Sequence, residues 1–123
     1  MRRMHSENPA RGLLVALRLF GGGAWAAPHL AAGTMGLQEG AESEYVVRLF
    51  AARNLALAAG LAASGRRSRR LWWQTGIACD ALDAAAGLLG GRAGKPRHSV
   101  VVDVGASLLA TGLGVAGLAR ERA

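Results

Sequence analysis

Large side chains are scarce in this chain. Of 123 residues only six are aromatic, whereas 26 are alanine and 18 are glycine. A soluble domain of this size fills its core with bulky aliphatic and aromatic groups. Small residues instead suit helices that approach closely in lipid. Cysteine occurs once, at Cys79, so an intrachain disulfide and a cysteine-built zinc cluster are both excluded. A lone thiol on an apolar helix reads as a packing group. The three histidines, His5, His29 and His98, lie far apart and lack H-x-x-x-H or H-x-x-E spacing, so no metal site is predicted. No G-x-S-x-G turn, Walker loop or dinucleotide glycine fingerprint occurs, and no catalytic residue is identified. Strand-type alternation is absent too, which argues against a β fold.

Acidic residues are also in short supply. Eight acids face 15 bases, for a net charge of +7. The arginines gather in clusters, at Arg2, Arg3 and Arg11, at Arg66, Arg67, Arg69 and Arg70, and at Arg120 and Arg122. These clusters flank apolar segments and do not line one face of a polar domain, so nucleic acid is not the expected partner.

Four apolar stretches are long enough to cross a hydrocarbon core of roughly 30 Å, which takes about 20 helical residues. They run over about 12–32, 45–63, 71–90 and 99–119. Short polar links join them, acidic at GLQEGAESE (36–44), basic at SGRRSRR (64–70) and Gly-rich at GGRAGKPRHS (90–99). The expectation is one all-α domain over 1–123, an integral membrane antiparallel four-helix bundle. With the N-terminus inside, the three arginine clusters put nine cations on the cytoplasmic side, against Arg92, Lys95 and Arg97 outside. That bias predicts a multi-pass protein of the plasma membrane with both termini cytoplasmic. Two alternatives are weaker. A soluble bundle would show a polar face along each helix, and 55–63 and 104–119 have none. A cleaved signal peptide would need the apolar run LLVALRLFGGGAWAA uninterrupted, but Arg18 breaks it.

All three aspartates of the chain, Asp80, Asp83 and Asp103, fall inside the proposed spans, together with Arg18, Arg48 and Arg53. An ionised group at mid-bilayer costs at least about 2.5–3.5 kcal/mol, so these six residues need partners. Helical rise places Arg53 and Asp83 both at ~18 Å from the inner boundary, Asp80 at ~14 Å and Arg18 at ~9 Å. The same ruler puts Arg48 at ~25 Å and Asp103 at ~24 Å. The predicted pairs are Arg53 with Asp83 or Asp80, Arg48 with Asp103, and Arg18 with Asp80. Small-residue stripes are expected to turn these groups inward. One is Arg18, Gly22, Ala26, His29 and Gly33. The second is Arg48, Ala52, Ala56, Gly60 and Ser64, and the third places Gly76, Ala84 and Gly87 beside Asp80 and Asp83. Trp72 and Trp73 read as an interfacial anchor next to the basic link, and Trp25, close to Pro28, reads as marking a kink or helix end.

The stretch RLFAARNLALAAGLAA at 48–63, followed by LWWQTGIACDALDAAAGLL at 71–89, resembles a family of small actinobacterial four-span membrane proteins of unknown function. That group is similar to a branch of the wider DoxX-like assemblage. Its pattern opens the second span with Arg-Leu-Phe-Gly-x-Arg-(Asp/Asn) and carries a D-A-x-D pair in the third. RLFGGGAWAAPHL in the first span fits as well, through Arg18, Gly22 and Pro28, so the likeness covers nearly the whole chain. The departure is Ala51, where the pattern has glycine. The resemblance implies a four-span membrane fold. Some DoxX-like proteins are subunits of quinone-linked oxidoreductases, so quinone is the one cofactor the resemblance raises, and nothing in the residues themselves calls for it. The expected role is a non-enzymatic structural or accessory membrane component, in contact with lipid and open to association with itself or another membrane subunit. The alternative is a redox-accessory or proton-coupled transport role for Asp80 and Asp83.

Overall fold

A computed structural model describes residues 8–122. Arg2, Arg3 and His5, which enter the readings above, lie outside the described residues. The chain forms α1 (Pro9–Gly22), a 3-10 turn (Gly23–Trp25), α2 (Pro28–Thr34), α3 (Ala41–Ala63), α4 (Arg66–Arg92) and α5 (Arg97–Arg122). No strand occurs among the described residues, and the fold is all-α.

Proline and glycine set the boundaries. Each of the three prolines stands at or just before a helix start, where a missing N–H costs nothing: Pro9, Pro28 and Pro96. Gly36 and Gly94 take positive φ, 71° and 98°, immediately beyond the last residues of α2 and α4. At α4 the amide of Lys95 donates to the Gly90 carbonyl at 3.0 Å and that of Gly94 to Gly91 at 3.3 Å. This is the paired bonding that closes a helix through a left-handed residue, and glycine enters that conformation without steric penalty. The basic link is shorter than expected. Only Ser64 and Gly65 separate α3 from α4, and Arg66–Arg70 are helical.

α1 packs against α3 and α5, α4 lies along α5, and α3 also meets α4. One end of the molecule gathers the start of α1, the α3–α4 turn and the end of α5. There Arg11 Nε donates to the Leu61 carbonyl at 3.1 Å, Asn8 Nδ2 to Gly117 at 3.0 Å and Arg69 to Ser64 at 3.0 Å. At the end of α3 these donors cover carbonyls that have no partner inside their own helix, and Asn8 ties the start of α1 to α5. Next to this end lies the apolar core, in which Trp73 packs with Ala10, Leu14, Leu61 and Ala110. Trp73 is only 1 % exposed, which corrects its expected place at an interface. Its ring lies where a Cβ on Gly117 would stand, and that glycine lets α5 close over it. Trp72 fits against Gly60 in the same way.

The expected first span is not one helix. Pro9–Trp25 and Pro28–Thr34 meet at 113°. Pro28 has no N–H to continue the ladder and disfavours α geometry in the residue before it; Ala27 accordingly sits at φ −135°, ψ 62°. The inward stripe predicted along this segment therefore ends at Gly22, and Ala26, His29 and Gly33 are exposed. The stripe on the second span is displaced as well. α3 buries Val47, Ala51, Asn54, Leu57, Ala58 and Leu61, one position out of phase with Arg48, Ala52 and Ala56, which face outward. Only the α4 stripe holds as drawn, with Gly76, Asp80, Ala84 and Gly87 buried.

Two helices, α3 and α5, are long and apolar enough to cross a membrane, and the bent pair before α3 passes the same test only if taken together. α4 has the length, but its aspartates and Gln74 dilute its apolar character. Replacing Gly117 by valine is expected to displace Trp73 and cost about 1–3 kcal/mol. Gly112→Val, where a Cβ meets nothing, is expected to change stability little. Unfolding of both variants in detergent, followed by helical circular dichroism, checks the contrast.

Candidate functional site: a polar cavity between the helices

The charged residues of the interior pair by geometry as much as by depth. Arg18 on α1 and Asp80 on α4 form a two-pronged pair, Nη1 to Oδ1 at 3.2 Å and Nη2 to Oδ2 at 2.7 Å. Side-chain exposures are 3 % and 7 %. Gly76 makes room, since a Cβ there would stand 2.7 Å from the Arg18 guanidinium. Parallel N–H···O bonds between guanidinium and carboxylate combine strength with orientation. Arg53 on α3 pairs with Asp83 on α4, Nη1 donating to Oδ1 at 3.1 Å and Nη2 to Oδ2. This second pair is less enclosed, with exposures of 37 % and 26 %. The Arg53 guanidinium also lies 5.2 Å from the Phe50 ring centre, within cation–π range.

The expected pair of Arg48 and Asp103 does not form. Asp103 takes Lys95, two residues before the α5 start, as its partner. Arg48 instead donates from Nε to the Trp25 carbonyl at 3.2 Å and stacks 5.8 Å from the Trp25 ring centre. The physical reason is lateral. Equal height does not make helices neighbours, and α1 stands between α3 and α5. The bend at Pro28 also leaves carbonyls without amide partners, and Arg48 covers one of them.

Above the Trp73 core, on the side away from the arginine-rich end, the helices part around a cavity of about 620 Å³. Arg18, Asp80, Asp83 and Asp103 all line it, so the structure brings together four of the six predicted polar-core residues. Arg48 and Arg53 are not part of its wall. Asn54, Thr34 and Ser107 add neutral polar groups. The volume is within the ~300–1,000 Å³ typical of small-molecule sites. Residues toward the surface are apolar and exposed, Phe20, Leu30 and Val102 among them.

Lys95 and Asn54 are the polar residues that charge-counting by depth passes over. Lys95 sits in a Gly/Pro-rich link, and a long lysine stem able to reach along the helix that follows was the available signal. Asn54 breaks an apolar run directly after Arg53, and it is 7 % exposed. Cys79 is half-buried and free. No group of three or more metal-ligating side chains occurs among the described residues. No known protein family, curated protein or solved structure matches the chain.

The two ion pairs are expected to differ in weight. Asp80→Ala or Arg18→Ala alone leaves a dry uncompensated charge and costs about 3–5 kcal/mol, and replacing both by apolar residues recovers most of that loss. The same changes at Arg53 and Asp83 are expected to cost less, since that pair is less enclosed. Denaturant titration of the two double-mutant cycles measures the contrast, and equal coupling at both sites would refute it.

Proposed function

We propose that the chain is a multi-pass membrane protein, folded in lipid as an antiparallel four-helix bundle. Its role is that of a non-enzymatic structural or accessory component, with membrane lipid as its immediate partner. What supports this reading most is an inverted distribution of polarity. Phe20, Leu30 and Leu82 are 85 %, 72 % and 70 % exposed, while Arg18 and Asp80 are 3 % and 5 % exposed. Water would favour the opposite arrangement. Hydrocarbon around the helices favours this one, because apolar surface is at no disadvantage there and charge must pair inside. On this reading α4 crosses the membrane despite its composition, because Arg18 and Arg53 neutralise its aspartates.

Orientation follows from the ends. Arg66, Arg67, Arg69 and Arg70 occupy the first turns of α4, where the helix dipole disfavours cations. Their placement makes sense as a topological signal facing the cytoplasm and the anionic lipid headgroups there. Arg11, Arg120 and Arg122 belong to the same end. The proposal therefore puts both termini on the cytoplasmic face of the plasma membrane. The resemblance to DoxX-like proteins agrees with this arrangement. A second reading, a redox-accessory or proton-coupled transport role with quinone as the ligand to try first, is favoured by one observation: the cavity reaches Asp80 and Asp83.

The expected behaviour is extraction by detergent only, and precipitation when detergent is withdrawn. A chain that stayed helical and monodisperse in plain buffer would overturn the membrane reading. In a Cys79→Ala background, Ala93→Cys is expected to react with a membrane-impermeant maleimide on intact cells. Ser68→Cys is expected to react only after lysis. The reverse pattern would overturn the orientation.

A further inference from the structure

We infer that the chain assembles with copies of itself, the exposed side of α5 on one protomer packing along the exposed side of α3 on the next. The inference rests on the membrane reading above and adds the partner. The glycines of α5 fall into two groups. Gly114 and Gly117 face inward, where a Cβ would meet Ile77 and Trp73. At Gly105 and Gly112 a Cβ would meet nothing. Glycine inside a helix is less favourable than alanine, so these two weaken α5 and gain no contact within the chain. They belong to an exposed row, Val101, Gly105, Leu108, Gly112, Val115 and Ala119, in which steps of four and three residues alternate. α3 exposes a row with the same steps, Tyr45, Leu49, Ala52, Ala56, Ala59 and Ala63. A repeat of this kind is the seam along which two helices pack at a shallow left-handed crossing. In lipid, small residues on the seam let the backbones come close.

The two rows match in register, size and charge. Each position on α5 lies 56 residues after its counterpart on α3, and so does the α5 start at Arg97 after the α3 start at Ala41. Both helices run toward the arginine-rich end. There Arg69 donates to the Ser64 carbonyl and to Glu121, which sets the last turns of α3 and α5 at one height. Neighbouring protomers that share one orientation in the membrane therefore bring the rows together in parallel and in step. Leu49 then meets Gly105, Leu108 meets Ala52, and Val115 meets Ala59, a large residue against a small one each time. Glu42 and Glu44 stand in the first turn of α3, level with the exposed Arg97 and His98 of the neighbour. Neither glutamate, nor Arg97, has an ion-pair partner among the described residues, so the contact joins opposite charges that its own chain leaves unpaired. At the other end both rows finish beside arginines, which anionic headgroups screen. Within one protomer α1 stands between α3 and α5, so the two rows look out on different sides. The contact is thus heterologous. A pair of protomers leaves one row of each kind open, and assembly passes beyond two copies until rotation closes a ring.

The test counts chains per particle by native mass spectrometry of the full chain released from mild nonionic detergent. The unaltered chain is expected to give closed assemblies larger than a dimer. Gly105→Leu sets a leucine against Leu49, and Ala52→Leu sets one against Leu108. Each variant alone is expected to be monomeric, with helical circular dichroism unchanged. Mixed, the two are expected to form dimers, because one chain keeps a working α3 row and the other a working α5 row. That rescue also shows that both variants fold. In a Cys79→Ala background, Leu49→Cys chains mixed with Gly105→Cys chains are expected to link by a disulfide in liposomes. Leu55→Cys, exposed but off the row, is expected not to link when it replaces Leu49→Cys. A monomeric unaltered chain, a mixture of the two leucine variants that stays monomeric, or Gly105→Cys chains that link to one another in preference to Leu49→Cys would overturn the inference. Each of these results leaves the membrane reading intact, and that reading falls only if the chain disperses without detergent.

Discussion

Arg18 and Asp80 hold the centre of the molecule because neither can remain there alone. An isolated buried charge costs several kcal/mol, and the cost is recovered only through close, well-oriented pairing. The pair joins α1 to α4, two helices that share little other contact. Around it the arrangement is largely determined. Gly76 must lack a side chain so that the guanidinium fits, α4 must present Asp80 and not its neighbours, and α1 must lie beside both α3 and α5. The interior then divides into two halves with different physics. On one side of the pair, Trp73 packs against small residues and glycine contacts. On the other, the helices separate and polar groups line open volume.

The break at Pro28 accounts for that separation. A straight first helix would continue along α3, and the space next to Asp83 and Asp103 would be filled by its side chains. The chain instead turns by 113°, and α2 lies across the top of the cavity. A break of this kind exposes backbone acceptors, and Arg48 answers with a hydrogen bond and a stacked ring. A residue that reads as a core charge is thus a clamp on an irregular turn.

Much of this was legible in the residues, and the failures share a cause. The all-α class follows from the missing alternation, and the helix limits follow from proline, glycine and polar links. Arg18–Asp80 and Arg53–Asp83 could be anticipated because depth and face agreed on both sides. Arg48–Asp103 failed because depth is one coordinate, while contact between helices also needs their order around the bundle axis. Single-sequence periodicity does not supply that order. The small-residue stripe on α3 failed for a related reason: alanine is compatible with either face, so the phase must come from Val47, Leu57 and Leu61. Trp73 was misplaced because aromatic residues beside arginines suit an interface and a core equally well, and only Gly117 opposite shows which applies. The cavity left no periodic signal, since it arises from the departure of a helix and not from residues that repeat.

The two-residue turn at Ser64–Gly65 bears on how such a chain is made. α3 and α4 are made in succession and together already contain Arg53 and Asp83, so this ion pair can form within the unit. Arg18 has no such local partner. Its carboxylate is 62 residues downstream, so α1 can pack on α3 before its cation has a partner. The first buried charge to be made is thereby the one that waits longest to be neutralised.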